Sequence, residues 1–231
     1  RAWWQPPHRS ASPPGSHFHI RDWERSVAPL HPPPIYLAAA GPQTLKLAGE
    51  MADGVIFNVL TSEQALREAI PQVRRAAVSA GRNPDALAFV LRTEIAPVDA
   101  AGERKALSRA KAIFALLAGF PGMDRLYQVA GFDTRAIIAD VRTAMRTDEV
   151  LASVGGVPEL RRTGDLAAAR AAIPDEFIRI LALVGNAGEL APRLRALHEL
   201  GVTCISVTPP AEATVVRAWE QLLGTLRESA G

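Results

Sequence analysis

Apolar positions along this chain fall into two kinds of segment: short continuous apolar runs, and longer stretches with apolar residues three or four apart. Ile35–Ala40 is the first run, as expected of a strand buried on both faces. Pro42 suits the first turn of a helix, where its missing N–H costs little, and Leu45, Leu47, Ala48 and Met51 give that helix an apolar side. Asp53-Gly54 reads as a turn and Val55–Asn58 as the next strand. Thr61, with Gln64 three residues on, has the arrangement of a capping box. It predicts a helix from there to about Ala80, stopped at Gly81 with Asn83-Pro84 beyond. Ala88–Val98 reads as a third strand.

Helical spacing dominates the next eighty residues. Glu103–Ala118 is one helix, broken by Gly119-Phe120-Pro121-Gly122, and Met123–Ala130 and Thr134–Met145 follow. Arg146–Ala172 is punctuated by Gly155-Gly156 and Pro158. Pro174 starts a helix over Asp175–Leu183. Asn186 with Glu189 at N3 begins another that runs to Leu200 and ends at Gly201. Val202–Thr208 is a fourth strand, and Glu212–Ser229 a closing helix. By contrast, Arg1 to Pro34 lacks steady periodicity apart from a short strand at His17–Ile20. Prolines at 6, 7, 13, 14, 29, 32, 33 and 34 deny it helix and ladder bonds, so it reads as an irregular arm.

Strands alternating with helices predict an α/β chain with a parallel sheet and right-handed crossovers. Four long strands are half of what a closed (β/α) barrel needs, and such a barrel takes about 250 residues. The expected division is an arm over 1–34 and a partial barrel over 35–231, with a helical insertion around 103–183.

Composition narrows the partners. The 231 residues are 48% hydrophobic and 22% charged, enough to bury a core, and the net charge is +2. No dense basic run interleaved with aromatics is present, so nucleic acid is not an expected partner. No apolar run approaches the roughly 20 residues of a membrane span, and the amino terminus lacks the apolar core of a signal peptide. Cys204 is the one cysteine, which rules out a disulfide within the chain and fits a reducing cytoplasm.

Candidate chemistry sits at the carboxyl ends of the strands, where ligands bind in open sheets and closed barrels alike. At Ala40-Gly41-Pro42-Gln43-Thr44 a strand passes into a helix. The free N–H groups and partial positive charge of a helix amino terminus suit phosphate. A plain strand-to-helix turn explains the same residues, and both readings stand. Asn58 and Thr61-Ser62 follow the neighbouring strand at the same end of the sheet, where helix capping by Thr61 is the competing role. Arg92 and Glu94 alternate with Leu91, Thr93 and Ile95, which makes one strand face polar: a barrel interior or site wall on one reading, an internal ion pair or an edge strand on the other. Asp53 reads as a turn residue. The five histidines are scattered. His17 and His19 have no third ligand nearby in sequence, so no metal site is expected. Thr208-Pro209-Pro210 follows the last strand at the same rim.

Three segments taken together resemble a known family. PIYLAAAGPQTLKLAGEMADGVIFN, residues 34–58, is similar to the central block of the luciferase-like flavin- or deazaflavin-dependent oxidoreductases. IPDEFIRILALVGNAGELAPRLRALHELGVTCISVTPP, residues 173–210, is similar to that family's closing segment. GSHFHIRD, residues 15–22, resembles the short hairpin that precedes the central block. The resemblance implies a TIM-type barrel that binds FMN or coenzyme F420 and moves hydride between the reduced cofactor and a small organic substrate. It implies that Ala39, Ala40, Gly41, Pro42 and Gln43 contact the phosphate end of the cofactor, with Asn58, Val59 and Thr61 joining from the next strand. The Ala-Gly-Pro and Ala-Asp-Gly pattern is closest to F420-dependent members similar to methylenetetrahydromethanopterin reductase. Family members place several strands before the hairpin. The sequence opens without them and without Met, so the expectation is a carboxyl-terminal portion of the barrel, with catalysis by this chain alone in question. Rival expectations are a non-catalytic fragment that needs a partner chain and a sugar-phosphate-binding barrel. The family often dimerises, and an open sheet edge favours association, so a homodimer is a further expectation.

Overall fold

A computed structural model describes residues 9–10, 12, 15, 17, 19, 23–24, 31–97, 100–153, 155–206, 216, 219–220, 222–224 and 227. The chain divides into two compact units, Arg1–Ile35 and Tyr36–Gly231. The first holds an antiparallel pair, β1 (Arg9–Ser10) and β2 (Trp23–Glu24), with Arg9 opposite Glu24. The strand expected at His17–Ile20 lies largely outside the described residues. His17 and His19, which are described, are not in a strand.

The second unit is built on a four-stranded parallel sheet. Its strands are β3 (Tyr36–Ala38), β4 (Gly54–Phe57), β5 (Ala88–Arg92) and β8 (Cys204–Ser206), paired in that order. Between β3 and β4 lies α1 (Pro42–Met51), and between β4 and β5 lies α2 (Glu63–Ser79). Parallel neighbours require crossovers, and the two helices supply them. Val55, Phe57, Phe89 and Leu91 turn to the helix side and are buried with Leu45, Leu66, Ile70 and Val73. Each such side chain fully removed from water contributes on the order of 2 kcal/mol. Leu190 and Leu197 of α9 (Ala187–Glu199) extend the same core. Asn186 caps α9 with the expected capping box, its side chain accepting from the Glu189 N–H at 3.1 Å.

The opposite sheet face is open. Tyr36, Ala38, Arg92, Cys204 and Ser206 are exposed there, and Ile56 and Val90 are half-buried. Parallel sheets normally have both faces covered, by helices outside and, in a barrel, by the other strands' side chains inside. Among the described residues the sheet does not close, as expected of part of a barrel.

The third expected strand is two. Among the described residues the ladder with β8 runs to Arg92, and the Thr93 N–H donates to the Ser206 carbonyl at 3.1 Å. β6 (Ile95–Pro97) pairs instead with β7 (Leu183–Gly185), and the Leu183 N–H donates to the Glu94 carbonyl. The change of partner breaks the strand at Thr93-Glu94, where alternation along the sequence runs on unbroken. β7 also shortens the helix expected over Asp175–Leu183. That helix, α8, is Asp175–Leu181, because Leu183 belongs to the ladder.

Between β6 and β7 lie α3 (Ala100–Leu117), a 3-10 segment at Met123–Tyr127, α4 (Thr134–Met145), α5 (Thr147–Ala152), α6 (Val157–Thr163) and α7 (Leu166–Ala171). The 3-10 segment replaces the helix expected over Met123–Ala130. These helices enclose an aromatic core. Phe114 meets Tyr127 and Phe177 edge-on, with ring centroids 4.9 and 5.3 Å away. The described residues of 212–229 are all helical, and Thr208-Pro209-Pro210 lies outside the described residues.

Candidate functional site

Two turns lie side by side at the carboxyl edge of the sheet. Leu37 pairs with Val55 and Ala38 with Ile56, and the Ala39 N–H donates to the Ile56 carbonyl at 3.3 Å. Continuing that register sets Ala40 beside Asn58. The structure therefore brings together the two groups that the sequence singled out, Ala39–Gln43 and Asn58–Thr61.

At the first turn Gly41 is the N-cap of α1, with φ −91° and ψ 159°. No side chain caps this end and no acidic residue lies in its first turn. Pro42 brings no N–H. The N–H groups of Gln43 and Thr44, at the helix start, have no hydrogen-bond acceptor among the described residues, and the Thr44 hydroxyl donates to the Gly41 carbonyl at 2.9 Å. Among the described residues, a Cβ placed on Gly41 would meet only Thr44 Oγ1, at 3.9 Å. Neither packing nor backbone conformation calls for glycine here, so the open space lies where a ligand can approach the backbone. Ala39 is buried, Ala40 and Gly41 are half-buried, and Pro42 and Gln43 are exposed.

The second turn is tightly committed within the protein. Asn58 Oδ1 accepts from the Val59 N–H at 2.8 Å, and Thr61 Oγ1 donates to the Asn58 carbonyl at 2.7 Å. Leu60 has φ +64°, a left-handed conformation costly for a branched side chain, and its complete burial helps to hold it there. The N-cap of α2 is Ser62, not Thr61: Ser62 Oγ accepts from the Ala65 N–H at 3.1 Å. The left-handed residue at 60 carries the chain one position further before the helix begins, and Thr61 closes the turn instead. Val59 and Thr61 are buried, so their side chains are spent on core and turn. Half-buried Asn58 has its amide nitrogen 3.9 Å from the Met123 sulfur.

The remaining candidates separate. Glu94 forms an ion pair with Arg109 of α3 at 3.2 Å, which matches the ion-pair reading among those open for it. Arg92 ends β5 opposite Ser206 and is exposed. Sequence reasoning missed the partners that the helical region brings: Leu126 and Met123 against the second turn, and Arg109 against Glu94. No local pattern signals contacts across such separations. Among the described residues, no group of three His, Cys, Asp or Glu side chains is placed to hold a metal ion, and no helix is long and apolar enough to cross a membrane.

Comparison with known proteins gives these turns their context. Over 181 residues the chain is 30% identical to 5,10-methylenetetrahydromethanopterin reductase of Methanolobus tindarius, covering 77% of this chain and 48% of that enzyme. It is 26% identical over 178 residues to the enzyme of the same name from Methanopyrus kandleri, covering 77% and 45%. The chain thus spans about half the length of the curated relatives it matches. Among solved structures, an F420-dependent secondary alcohol dehydrogenase in complex with an F420-acetone adduct superposes with a TM-score of 0.65 at 17% identity, covering 97% of this chain and 58% of that one. That likeness establishes the fold, part of a TIM-type barrel. The family model for luciferase-like monooxygenases matches residues 1–204, and with the parallel sheet and its two rim turns the chain belongs to that family.

Proposed function

We propose that this chain contributes the phosphate-holding side of an oxidoreductase site that transfers hydride between reduced F420, or a reduced flavin, and a small organic substrate. The observation that carries this reading is the Gly41 turn. Its open space, the unpaired N–H groups of Gln43 and Thr44, and the lack of any acid in the first turn suit a phosphate and nothing in the chain's own packing. When bound, the cofactor supplies the redox chemistry, and the protein positions and shields it. Ala39, Ala40, Gly41, Pro42 and Gln43 would hold the phosphate end. Asn58, Val59 and Thr61 would fix the neighbouring turn so that its backbone faces the same group.

Two similar solved structures support F420 over FMN. One is the superposed alcohol dehydrogenase with its F420-acetone adduct, and the other a coenzyme F420-dependent tetrahydromethanopterin reductase from Methanopyrus kandleri. Calorimetric titration of the 231-residue chain with F420 and with FMN tests the reading. F420 should bind, and Gly41→Val, which fills the open space, should weaken it at least tenfold. If FMN alone binds, the choice of cofactor reverses. If neither binds and a phosphorylated sugar does, the oxidoreductase reading gives way to a sugar-phosphate site.

The open inner face favours a second reading for catalysis. With Tyr36, Ala38 and Cys204 exposed, the chain can hold the cofactor's tail while further polypeptide is needed to enclose its ring. Binding without turnover of the bound cofactor is the result expected in that case.

A further inference from the structure

The register of the sheet aligns one row of residues at its carboxyl edge. Phe57 pairs with Leu91, and Arg92 pairs with Ser206. One step beyond Phe57, the same register sets Asn58 beside Arg92. The row therefore reads Ala40, Asn58, Arg92, Ser206, and Arg92 is its one charge. Strand neighbours lie about 4.8 Å apart, so Arg92 stands about 10 Å from the Gly41 turn along this row.

Arg92 lies on the open face. Phe89 and Leu91 alternate to the buried side, while Val90 and Arg92 turn away from it. Its guanidinium has no hydrogen-bond or ion-pair partner among the described residues. Other arginines near the sheet and its insertion are engaged. Arg82 donates to the carbonyls of Gly49 and Ala52, Arg109 pairs with Glu94, Arg142 with Asp148, Arg179 with Glu103, and Arg193 donates to the carbonyls of Ala182 and Ile180. The nearest acid in sequence, Glu94, is held by Arg109 and leaves Arg92 uncompensated. Around Arg92 on this face stand Ile56 and Val90, apolar and half-buried. A guanidinium fork beside apolar surface binds a carboxylate or a phosphate through paired charge-assisted hydrogen bonds.

We propose that Arg92 is an anion-recognition residue of this site, receiving a carboxylate or phosphate group of the ligand that lies over the open sheet face. The inference rests on the cofactor reading above for its setting. It deepens that reading by naming a second anionic contact, distinct from the helix terminus at Gly41. The anion belongs either to the cofactor or to the substrate, and the same fork serves both.

Cys204 provides a probe. It is the sole cysteine of the chain, is exposed, and pairs with Val90, which places it about 8 Å from Arg92 on the same face. Alkylation of the 231-residue chain would be followed with iodoacetamide and with iodoacetate, which differ in charge. In the parent protein iodoacetate should be favoured about threefold more than in Arg92→Gln, and millimolar inorganic phosphate should slow iodoacetamide in the parent alone. Arg92→Lys should keep the charge effect and lose part of the phosphate protection. Because Arg92 holds nothing else in place, its variants should melt with the parent. F420 titration then assigns the anion. About tenfold weaker binding in Arg92→Gln assigns it to the cofactor, and unchanged binding with phosphate protection lost assigns it to the substrate. If the parent binds no F420 yet phosphate protection depends on Arg92, the cofactor reading fails and the anion site stands. Equal alkylation ratios, equal phosphate protection and equal F420 affinity in parent and Arg92→Gln would overturn the proposal.

Discussion

The Ser62 N–H donates to the carbonyl oxygen of Leu126 at 2.7 Å, tying the turn after β4 to the 3-10 segment of the helical region. The same residue caps α2 through its hydroxyl. One serine therefore fixes the start of a helix and joins the rim of the sheet to the helical region. The turn beside the proposed ligand turn is thus bonded on both sides.

Ser62→Ala should lower stability by about 1 kcal/mol, the usual cost of losing an N-cap, while keeping the backbone bond to Leu126. Thr61→Ala removes the bond to the Asn58 carbonyl and leaves the cap intact. Amide exchange at Ala65 separates the two: it should accelerate in Ser62→Ala and stay at the parent rate in Thr61→Ala. Urea unfolding gives the stability difference.

Gly41 and Gly49 should respond oppositely to alanine. At Gly49 an added Cβ would come within 2.3 Å of the Val73 carbonyl oxygen and 2.7 Å of the Ala76 Cβ, so α1 and α2 must separate. Gly49→Ala should cost about 1–3 kcal/mol despite alanine's better helix propensity. Gly41→Ala meets nothing closer than 3.9 Å and should unfold with the parent. Cofactor affinity should fall in Gly41→Ala. Thermal melts paired with F420 titration of both variants check the contrast.

Arg193 donates to the Ala182 carbonyl at 3.0 Å and to the Ile180 carbonyl at 2.9 Å, satisfying the end of α8 as the chain enters β7. Burial works against its charge, yet both bonds go to carbonyls that otherwise lack helical partners. Arg193→Ala should therefore cost about 1–3 kcal/mol. Arg162, exposed and paired with Glu159 one turn away, should be replaceable without effect. Chemical denaturation of the two variants beside the parent makes the comparison.

Much of the sheet was legible because local chemistry and long-range packing agree there. The apolar run before Gly41 and Pro42 at the first helical turn each have one structural solution, and the structure takes it, whereas Gly54, expected in a turn, is the first residue of β4 and pairs with Tyr36 and Ala88. The break at Thr93-Glu94 was hidden because alternation continues through it, and only the arrival of β7 from ninety residues later changes the partner. β7 itself was masked by the continuous apolar run from Ile180 to Val184, which suits a helix and a strand equally. The cap moved from Thr61 to Ser62 because Leu60 adopts a left-handed conformation, which a leucine does not advertise. At the site, the two turns were found because strand ends are where sequence places polar residues and glycine. The setting of Arg92 depends on register and on Glu94 being held by Arg109, and neither is written locally.

Tyr127 makes stability depend on pH in the alkaline range. Its ring is fully buried against Phe114, and its hydroxyl has no hydrogen-bond partner among the described residues. Burial raises the phenol's pKa above its ordinary value, because a phenolate cannot be solvated there. The neutral phenol is thus favoured by the folded state. Its contribution is fully present below the pKa of the unfolded chain, near 10, and is lost as pH rises beyond it, because the unfolded chain then binds fewer protons than the folded one. Tyr127→Phe removes both the titration and the orphaned hydroxyl while keeping the edge-on contact with Phe114. The variant should be about 1 kcal/mol more stable at neutral pH, and its advantage should widen between pH 9 and pH 11. Melting temperatures of parent and variant across that range provide the measurement. A constant difference would mean that the phenolate is solvated in the folded state as well as in the unfolded one.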